Sequence, residues 1–319
     1  ITGLTYTYDK DDYLTTITAK GGLLGKKLRE YVYDDFGRVA EMKDYYGFAE
    51  GGSDHILREY TYDDFGRVTK MTYTDSKDGE VKESYGYTYD KNSNILQERI
   101  ISHYAAADEK ELDCTKNYTY DKNGRLTKAE VIDHTEGGAG SGTTEYTYDL
   151  AGNRDEELTP EGLRLDYHYN GLNQLFLIET EEQDDTGEWQ VRATETYTYD
   201  RNGNQTGKTS SASGETISMT YDAANRLTDY EKEKDGTAIL NQKNRYNGEG
   251  QRIRKEETKG TESSVRNYYY QDDSVLYTTD GENQRDSFNL LGLESNIIAT
   301  ARGTGSSEDW YLYNRSEEH

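Results

Sequence analysis

The amino-acid sequence predicts an all-β protein, an antiparallel meander of short repeated hairpins with nearly no helix. Three observations carry this. A Tyr-x-Tyr-Asp motif recurs along the chain, Gly or Asn follows its Asp at a constant distance, and a second, looser series of glycine turns lies between the copies. Clear copies read YVYDDFGRV at 31–39, YTYDDFGRVT at 60–69, NYTYDKNGRLTK at 117–128 and YTYDLAGNR at 146–154.

The Tyr before the acidic or amide residue marks each copy. It stands at 8, 33, 62, 89, 120, 148, 169, 199, 221 and 246, with a degenerate copy at 270. Ten intervals thus cover 262 residues (270 − 8), a mean of about 26, which is the period of a stacked supersecondary unit. Within the unit, two Tyr at i and i+2, such as Tyr60 with Tyr62 or Tyr118 with Tyr120, lie on one face of a strand. Thr, a good strand former, usually separates them. The next residue is Asp in eight of the ten copies and Asn in two, Asn170 and Asn247. Either side chain can accept from the backbone amide two residues on and so start a turn.

Three residues after the Asp comes Gly37, Gly66, Gly124, Gly152, Gly203 or Gly250, or else Asn173 or Asn225. Gly and Asn are the residues that most readily take positive φ. The pattern predicts a three-residue hairpin, a type I turn closed by a left-handed residue in a bulge. Asp12 and Ser93 occupy the same position, and the Ser93 turn is expected to be the most distorted. The chain then re-enters a strand through Leu14, Val39, Val68, Ile95, Leu126, Leu175 or Leu227. The predicted constant-turn residues are Tyr33, Asp34, Gly37, Arg38; Tyr62, Asp63, Gly66, Arg67; Tyr120, Asp121, Gly124, Arg125; Tyr148, Asp149, Gly152; and Tyr199, Asp200, Gly203. The second series includes Gly21-Gly22, Gly51-Gly52, Asp78-Gly79, Gly137-Gly138, Glu161-Gly162, Thr186-Gly187, Ser213-Gly214, Asp235-Gly236 and Lys259-Gly260. These read as variable, charged or Gly-rich loops.

Composition narrows the function classes. The 319 residues carry 37 Lys+Arg against 62 Asp+Glu, a formal charge of −25. Phosphate contacts need basic patches, so general nucleic-acid binding is not expected. No apolar run is long enough to span a membrane. Only 32% of residues are hydrophobic, which leans toward disorder, but 31 periodic Tyr and a single Pro160 argue for order. One cysteine, Cys114, excludes a disulfide framework.

The repeats resemble the YD repeats, also called Rhs repeats, of bacterial polymorphic toxins, wall-associated proteins, insecticidal Tc toxin components and animal teneurins. The resemblance covers about residues 4–314. Within it, YYQDDSVLYTTDG at 269–281, FNLLGLESNIIA at 288–299 and WYLYN at 310–314 resemble the C-terminal stretch of such repeat arrays. It implies an array of ten to eleven repeats over 1–285 and the start of a C-terminal core-associated segment over 286–314. It also implies that the repeats coil as an open part of a β-solenoid shell, secreted or at the cell surface. The shell would enclose, as cargo, a C-terminal toxin domain of the same protein. An alternative within the family is a cell-surface adhesion protein that binds glycan. The sequence begins Ile1-Thr2-Gly3 inside a repeat and is expected to be a fragment with unpaired edges. Arg315–His319, RSEEH, breaks the pattern. The codons AGA-TCG-GAA-GAG-CAC would encode it and match the start of a common sequencing adapter, so it is set apart as an expected artefact.

A shell makes physical sense of the composition. Conventional domains need a dense aliphatic core, which this chain lacks. A one-layer sheet needs strand ladders and cross-strand pairs instead. Tyr offers a large apolar body and a hydroxyl that can stay wet or find a partner. Stacked repeats are expected to place Tyr beside Tyr in ladders, at ~0.2–1 kcal/mol per pair.

The search for chemistry yields little, and neither catalysis nor a cofactor is expected. His55, His103, His134, His168 and His319 are far apart in sequence. His168 takes the slot usually held by Thr and reads as a strand residue facing away from the Tyr. The run GGAGSG at 137–142 lacks the Lys-Ser/Thr ending of a phosphate loop. The acidic pairs Asp34-Asp35, Asp63-Asp64 and Asp184-Asp185 have oxygen ligands for calcium but no calcium-loop spacing, and read as solvated turn carboxylates. Arg38, Arg67, Arg125 and Arg226 are placed to pair with a turn Asp, an exposed interaction worth about 0–1 kcal/mol. Trp189 and Trp310 are candidate sugar-stacking platforms.

Overall fold

A computed structural model describes residues 3–20, 26–46, 53–103, 111–291, 297–303 and 309–312. Among them there are 25 strands and no helix, so no helix is long and apolar enough to cross a membrane. Gly21-Gly22, Gly51-Gly52 and Arg315–His319 lie outside the described residues. The chain divides into two compact units, 1–152 with 157–161, and 153–156 with 162–319.

The first unit holds β1 (Gly3–Tyr8), β2 (Leu14–Lys20), β3 (Lys27–Tyr33), β4 (Val39–Tyr45), β5 (His55–Tyr62), β6 (Val68–Asp75), β7 (Val81–Tyr89), β8 (Ile95–Ser102), β9 (Leu112–Tyr120), β10 (Leu126–Asp133) and β11 (Gly142–Tyr148). Each pairs antiparallel with its neighbour in sequence. β12 (Arg154–Leu158) has residues in both units. The second unit continues with β13 (Arg164–Tyr169), β14 (Leu175–Gln183), β15 (Trp189–Tyr199), β16 (Gln205–Ser210), β17 (Glu215–Tyr221), β18 (Leu227–Lys234) and β19 (Thr237–Tyr246). It closes with β20 (Arg252–Lys259), β21 (Glu262–Gln271), β22 (Ser274–Thr279), β23 (Arg285–Leu291), β24 (Ile297–Arg302) and β25 (Asp309–Leu312). These too form an antiparallel meander. The sheet is open: among the described residues β1 pairs only with β2, and β25 only with β24.

Each marker Tyr from Tyr8 to Tyr246 ends an odd-numbered strand, β1 to β19, and Tyr270 is second-last in β21. Odd and even strands run in opposite directions, so within each unit the Tyr-Asp turns line one end of the sheet and the loops after the even strands line the other. The pleat separates the faces. Along β5, Tyr60 and Tyr62 are half-buried while Thr61 between them is exposed.

Buried apolar residues are few, as the composition implies. Among the described residues of the first unit they are Ile17, Leu28, Met42, Tyr73, Ile100 and Cys114. Ile100 and Cys114 are directly paired across β8 and β9, and burial pushes the Cys114 thiol up.

Beside Met42 and Tyr73 lies a feature that composition does not reveal. Arg29, Asp44 and Arg58 are 7%, 4% and 3% exposed. The Asp44 carboxylate stands between the two guanidiniums, with each ion pair at 2.5 Å. Arg58 also lies over the Tyr73 ring, 5.2 Å from its centroid.

Candidate functional site

The candidate site is the repeat junction itself. In the copy at 62–67, the Asp63 amide donates to the Arg67 carbonyl at 2.9 Å and the Gly66 amide to the Asp63 carbonyl at 3.0 Å. The Asp63 carboxylate accepts from the Phe65 amide at 2.9 Å and the Arg67 amide at 3.0 Å. Gly66 has φ +80°, a left-handed conformation. Asp34 with Gly37 and Arg38, and Asp121 with Gly124 and Arg125, repeat these bonds. Asp200 and Gly203 do so with Asn204 in the Arg position. Gly152 donates to the Asp149 carbonyl at 3.1 Å, with φ +93°.

The Ser93 turn differs from its expectation. Ser93 takes φ 69° and keeps the turn bonds, with Asp90 N to Asn94 O at 2.9 Å and Ser93 N to Asp90 O at 3.2 Å, the latter equal to the Gly203 bond. One added contact accompanies it, since Arg67 of the preceding repeat donates to the Ser93 hydroxyl at 3.2 Å.

The turn position after the bulge holds a complementary partner for the first residue. Arg38, Arg67, Arg125 and Arg226 donate through Nε to the second oxygen of their own Asp at 2.7 Å. Asn94 and Asn204 donate to Asp90 and Asp200 at 2.9 and 2.8 Å. In the two copies that begin with Asn the polarity reverses. Asn170 donates to Gln174 Oε1 at 2.8 Å, and Asn247 to Gln251 Oε1 at 2.9 Å. An ionised carboxylate only accepts, while an amide can do both, so these first residues have the partners that their chemistry requires.

These bonds set the carboxyl acidity. At Asp121 the Arg125 amide leads, and at Asp222 the Arg226 guanidinium, in holding the carboxyl below the usual carboxylate range. At Asp90 and Asp200 the side-chain amides of Asn94 and Asn204 lead. At Asp34 and Asp63 desolvation pushes upward, but the bonds from Arg38 and Arg67 outweigh it. The carboxylates are therefore engaged by their own turns.

The marker Tyr joins one repeat to the previous one. A register shift before Tyr62, between Thr61 and Tyr62, leaves Thr69 unmatched in the β5–β6 ladder. Such a bulge disrupts the ladder, and a backbone carbonyl beside it needs another donor. Tyr89 of the next repeat donates to the Val68 carbonyl at 2.6 Å. Likewise Tyr33 donates to Leu14, Tyr62 to Val39, Tyr120 to Ile95, Tyr148 to Leu126 and Tyr199 to Leu175, at 2.7 to 2.8 Å. The Arg completes the junction. Arg67 lies 4.6 Å from the Tyr89 ring centroid and donates to the Asp90 carbonyl at 2.8 Å. Arg38 over Tyr62, Arg125 over Tyr148 and Arg226 over Tyr246 sit at 4.4 to 5.0 Å.

In place of the expected Tyr-on-Tyr ladder, Tyr meets Arg across the four junctions at Tyr62, Tyr89, Tyr148 and Tyr246. An even-numbered strand separates successive marker Tyr and keeps their rings apart. Direct ring pairs do occur: Tyr13, in the position of the Arg, meets Tyr33 at 4.9 Å, and Tyr269 meets Tyr277 at 4.3 Å.

Two turns show that the motif does not depend on its Tyr. Asp184, Thr186, Gly187 and Glu188, in the series read as variable, form the same bonded turn between β14 and β15. Asp280 does so with Asn283, at φ 63°, and Gln284. The available signal was Asp followed three residues on by Gly or Asn. Conversely, Tyr270 keeps its bond to the Arg252 carbonyl at 2.9 Å, while its turn shortens to Asp272-Asp273 between paired Gln271 and Ser274.

The remaining candidates resolve differently. The GGAGSG loop wraps a carboxylate of the chain, for Asp133 accepts from the Thr135 amide and hydroxyl and from the Gly140 amide at 2.7 to 2.9 Å. The Arg164 guanidinium lies over the Trp189 ring, 4.7 Å from its centroid. The Trp310 side chain falls outside those described. His168 projects from the face opposite the Tyr, near Asp166 and Glu179.

Comparisons with known proteins agree with the repeat reading. A family profile described as RHS Repeat matches residues 199–238, from one marker Tyr through the next and beyond. The match places an RHS repeat at residues 199–238, and the Tyr-Asp unit found there recurs along the chain. The tRNA3(Ser)-specific nuclease WapA of Bacillus spizizenii is 31% identical over 145 residues, which cover 44% of this chain and 5% of that protein. A TcdB2-TccC3 crystal structure without its hypervariable C-terminal region matches 98% of this chain and 17% of its own, at 15% identity and a TM-score of 0.33. A Photorhabdus luminescens Tc holotoxin pore matches 99% and 18%, at 15% and 0.31. The chain therefore spans only a small part of each of these proteins.

Proposed function

We propose that this chain is a non-catalytic segment of a shell wall whose repeats coil around a C-terminal toxin domain of the same protein and help deliver it from a secreted or surface-bound particle. The observation that supports this reading most is the repeat junction. Nine marker Tyr hydroxyls cap a carbonyl of the previous repeat, and Arg38, Arg67 and Arg226 span to the next turn. A sheet held this way needs no thick apolar core and leaves a second face free to line a cavity. Residues 286–314 are, in this reading, the start of the segment that closes the array. A relative 31% identical over part of this chain is a tRNA-specific nuclease, which fits a wall with a toxic cargo.

The experiment is protease protection of the full natural protein with its downstream domain. The downstream domain is expected to resist digestion while the repeats are folded, and to be digested once Tyr→Phe substitutions at several junctions loosen them. Equal digestion in both cases would remove the enclosure reading.

A further inference from the structure

We propose that Asp166, His168 and Glu179 form a binding site for a divalent first-row transition metal of the zinc class. Asp166 and His168 project from the same face of β13, and Glu179 lies directly opposite Asp166 on β14. His168 Nε2 is 2.9 Å from Glu179 Oε2 and 3.7 Å from Asp166 Oδ2. One ligand atom from each of the three groups lies within 4.8 Å of the others. Ligands about 2.0–2.1 Å from a tetrahedral metal stand about 3.3 Å apart, and the two His distances bracket that value. The three side chains are 29–35% exposed, which leaves room for water in the remaining coordination positions.

A second observation points to a cation. The Asp166–Glu179 pair sets two carboxylates directly across a ladder, an arrangement that destabilises a sheet. At the same register nine of the ten other copies hold Thr5–Thr18, Glu30–Lys43, Glu59–Thr72, Gly86–Arg99, Asn117–Glu130, Thr196–Thr209, Ser218–Glu231, Lys243–Glu256 and Asn267–Thr279. None of these pairs joins two acids. The repeat with two acids is also the one with His in the Thr slot. Arg164, two residues before Asp166, is engaged by Glu181 at 2.5 Å and Glu156 at 3.3 Å. Imidazole favours zinc, cobalt or nickel over the hard cations calcium and magnesium. Both strands are fixed by their ladder, so the donors are placed before the ion arrives.

The test is titration of the chelator-stripped full chain with Co2+ alone, followed by visible absorption, and with Zn2+ in competition. One equivalent with a tetrahedral or five-coordinate d–d band, displaced by Zn2+, is the expected result. His168→Thr installs the residue of the other repeats at this slot. It is expected to remove the band and weaken binding roughly tenfold or more while the far-ultraviolet circular dichroism stays unchanged. Glu179→Thr should do the same. A wild-type chain without that band overturns the site, and so does a band that survives His168→Thr. In the first case, His168 is a hydrogen-bonding residue between two carboxylates.

Discussion

At the scale of single residues, the marker Tyr and the left-handed turn residue carry different loads. Tyr89→Phe keeps the ring beneath Arg67 and removes only the hydroxyl that caps the Val68 carbonyl. A loss of about 1 kcal/mol is expected by chemical denaturation, with the cation–π contact retained. The glycines separate by surroundings. A Cβ on Gly66 meets nothing nearer than Arg38 Nη1 at 3.7 Å, so Gly66→Ala is expected to cost only the left-handed backbone penalty, about 1–2 kcal/mol. At Gly37 the Cβ falls on the Tyr13 ring and hydroxyl, so Gly37→Ala is expected to cost more than Gly66→Ala in the same assay. Equal costs would show that Tyr13 moves aside freely.

At the scale of the element, the hairpin has a pairing rule that can be exchanged between copies. In the Tyr-Asp copies from Tyr33 to Tyr246, Asp goes with Arg or Asn, and Asn goes with Gln. Asp222→Asn alone leaves Arg226 without its carboxylate and is expected to lower the melting temperature. Adding Arg226→Gln recreates the Asn170–Gln174 pair and is expected to recover most of the turn's own loss, although the bond from Arg226 to the Asn247 carbonyl at 2.9 Å is given up. A double variant no better than the additive sum of the singles would refute the rule. The buried ion cluster behaves as one element too. Asp44→Asn strands two buried guanidiniums, Arg29 and Arg58. It is expected to destabilise the first unit by roughly 3–5 kcal/mol, read by hydrogen exchange on β3 to β5.

At the scale of the whole molecule, the recurring Asp turns make stability depend on acid. The folded carboxyls of Asp34, Asp63, Asp90, Asp121, Asp200 and Asp222 titrate below their ordinary value. An unfolded Asp titrates near about 3.9. The folded state therefore binds protons less readily than the unfolded one. The stabilisation is complete above that value and is lost as pH falls through the lower folded values. Melting temperature is expected to fall once pH drops below about 4. The Asn170 and Asn247 turns have no such proton to take. Protection of the Gln174 and Gln251 amides, which donate to Asn oxygens at 3.0 and 2.9 Å, is expected to outlast that of the Arg67 and Arg125 amides. Simultaneous loss at all four would place acid sensitivity elsewhere.

Much of this architecture was legible because it is local. Asp or Asn followed three residues on by Gly or Asn determined the turns, including the left-handed Asn173 and Asn225, since φ preference is a property of one residue; Asp12 and Ser93, in the same position, take it as well. Tyr-Thr-Tyr determined strands and their two faces for the same reason, a period of two. The tertiary structure alone decided what each Tyr hydroxyl bonds, because its acceptor lies some 16 to 25 residues back beside a bulge. It decided that Arg meets the marker rings of Tyr62, Tyr89, Tyr148 and Tyr246, while Tyr13 meets that of Tyr33. It also brought Arg29, Asp44 and Arg58 together, and Asp166 with His168 and Glu179. Those contacts depend on strand register, and a shift of one residue would send each side chain to the opposite face.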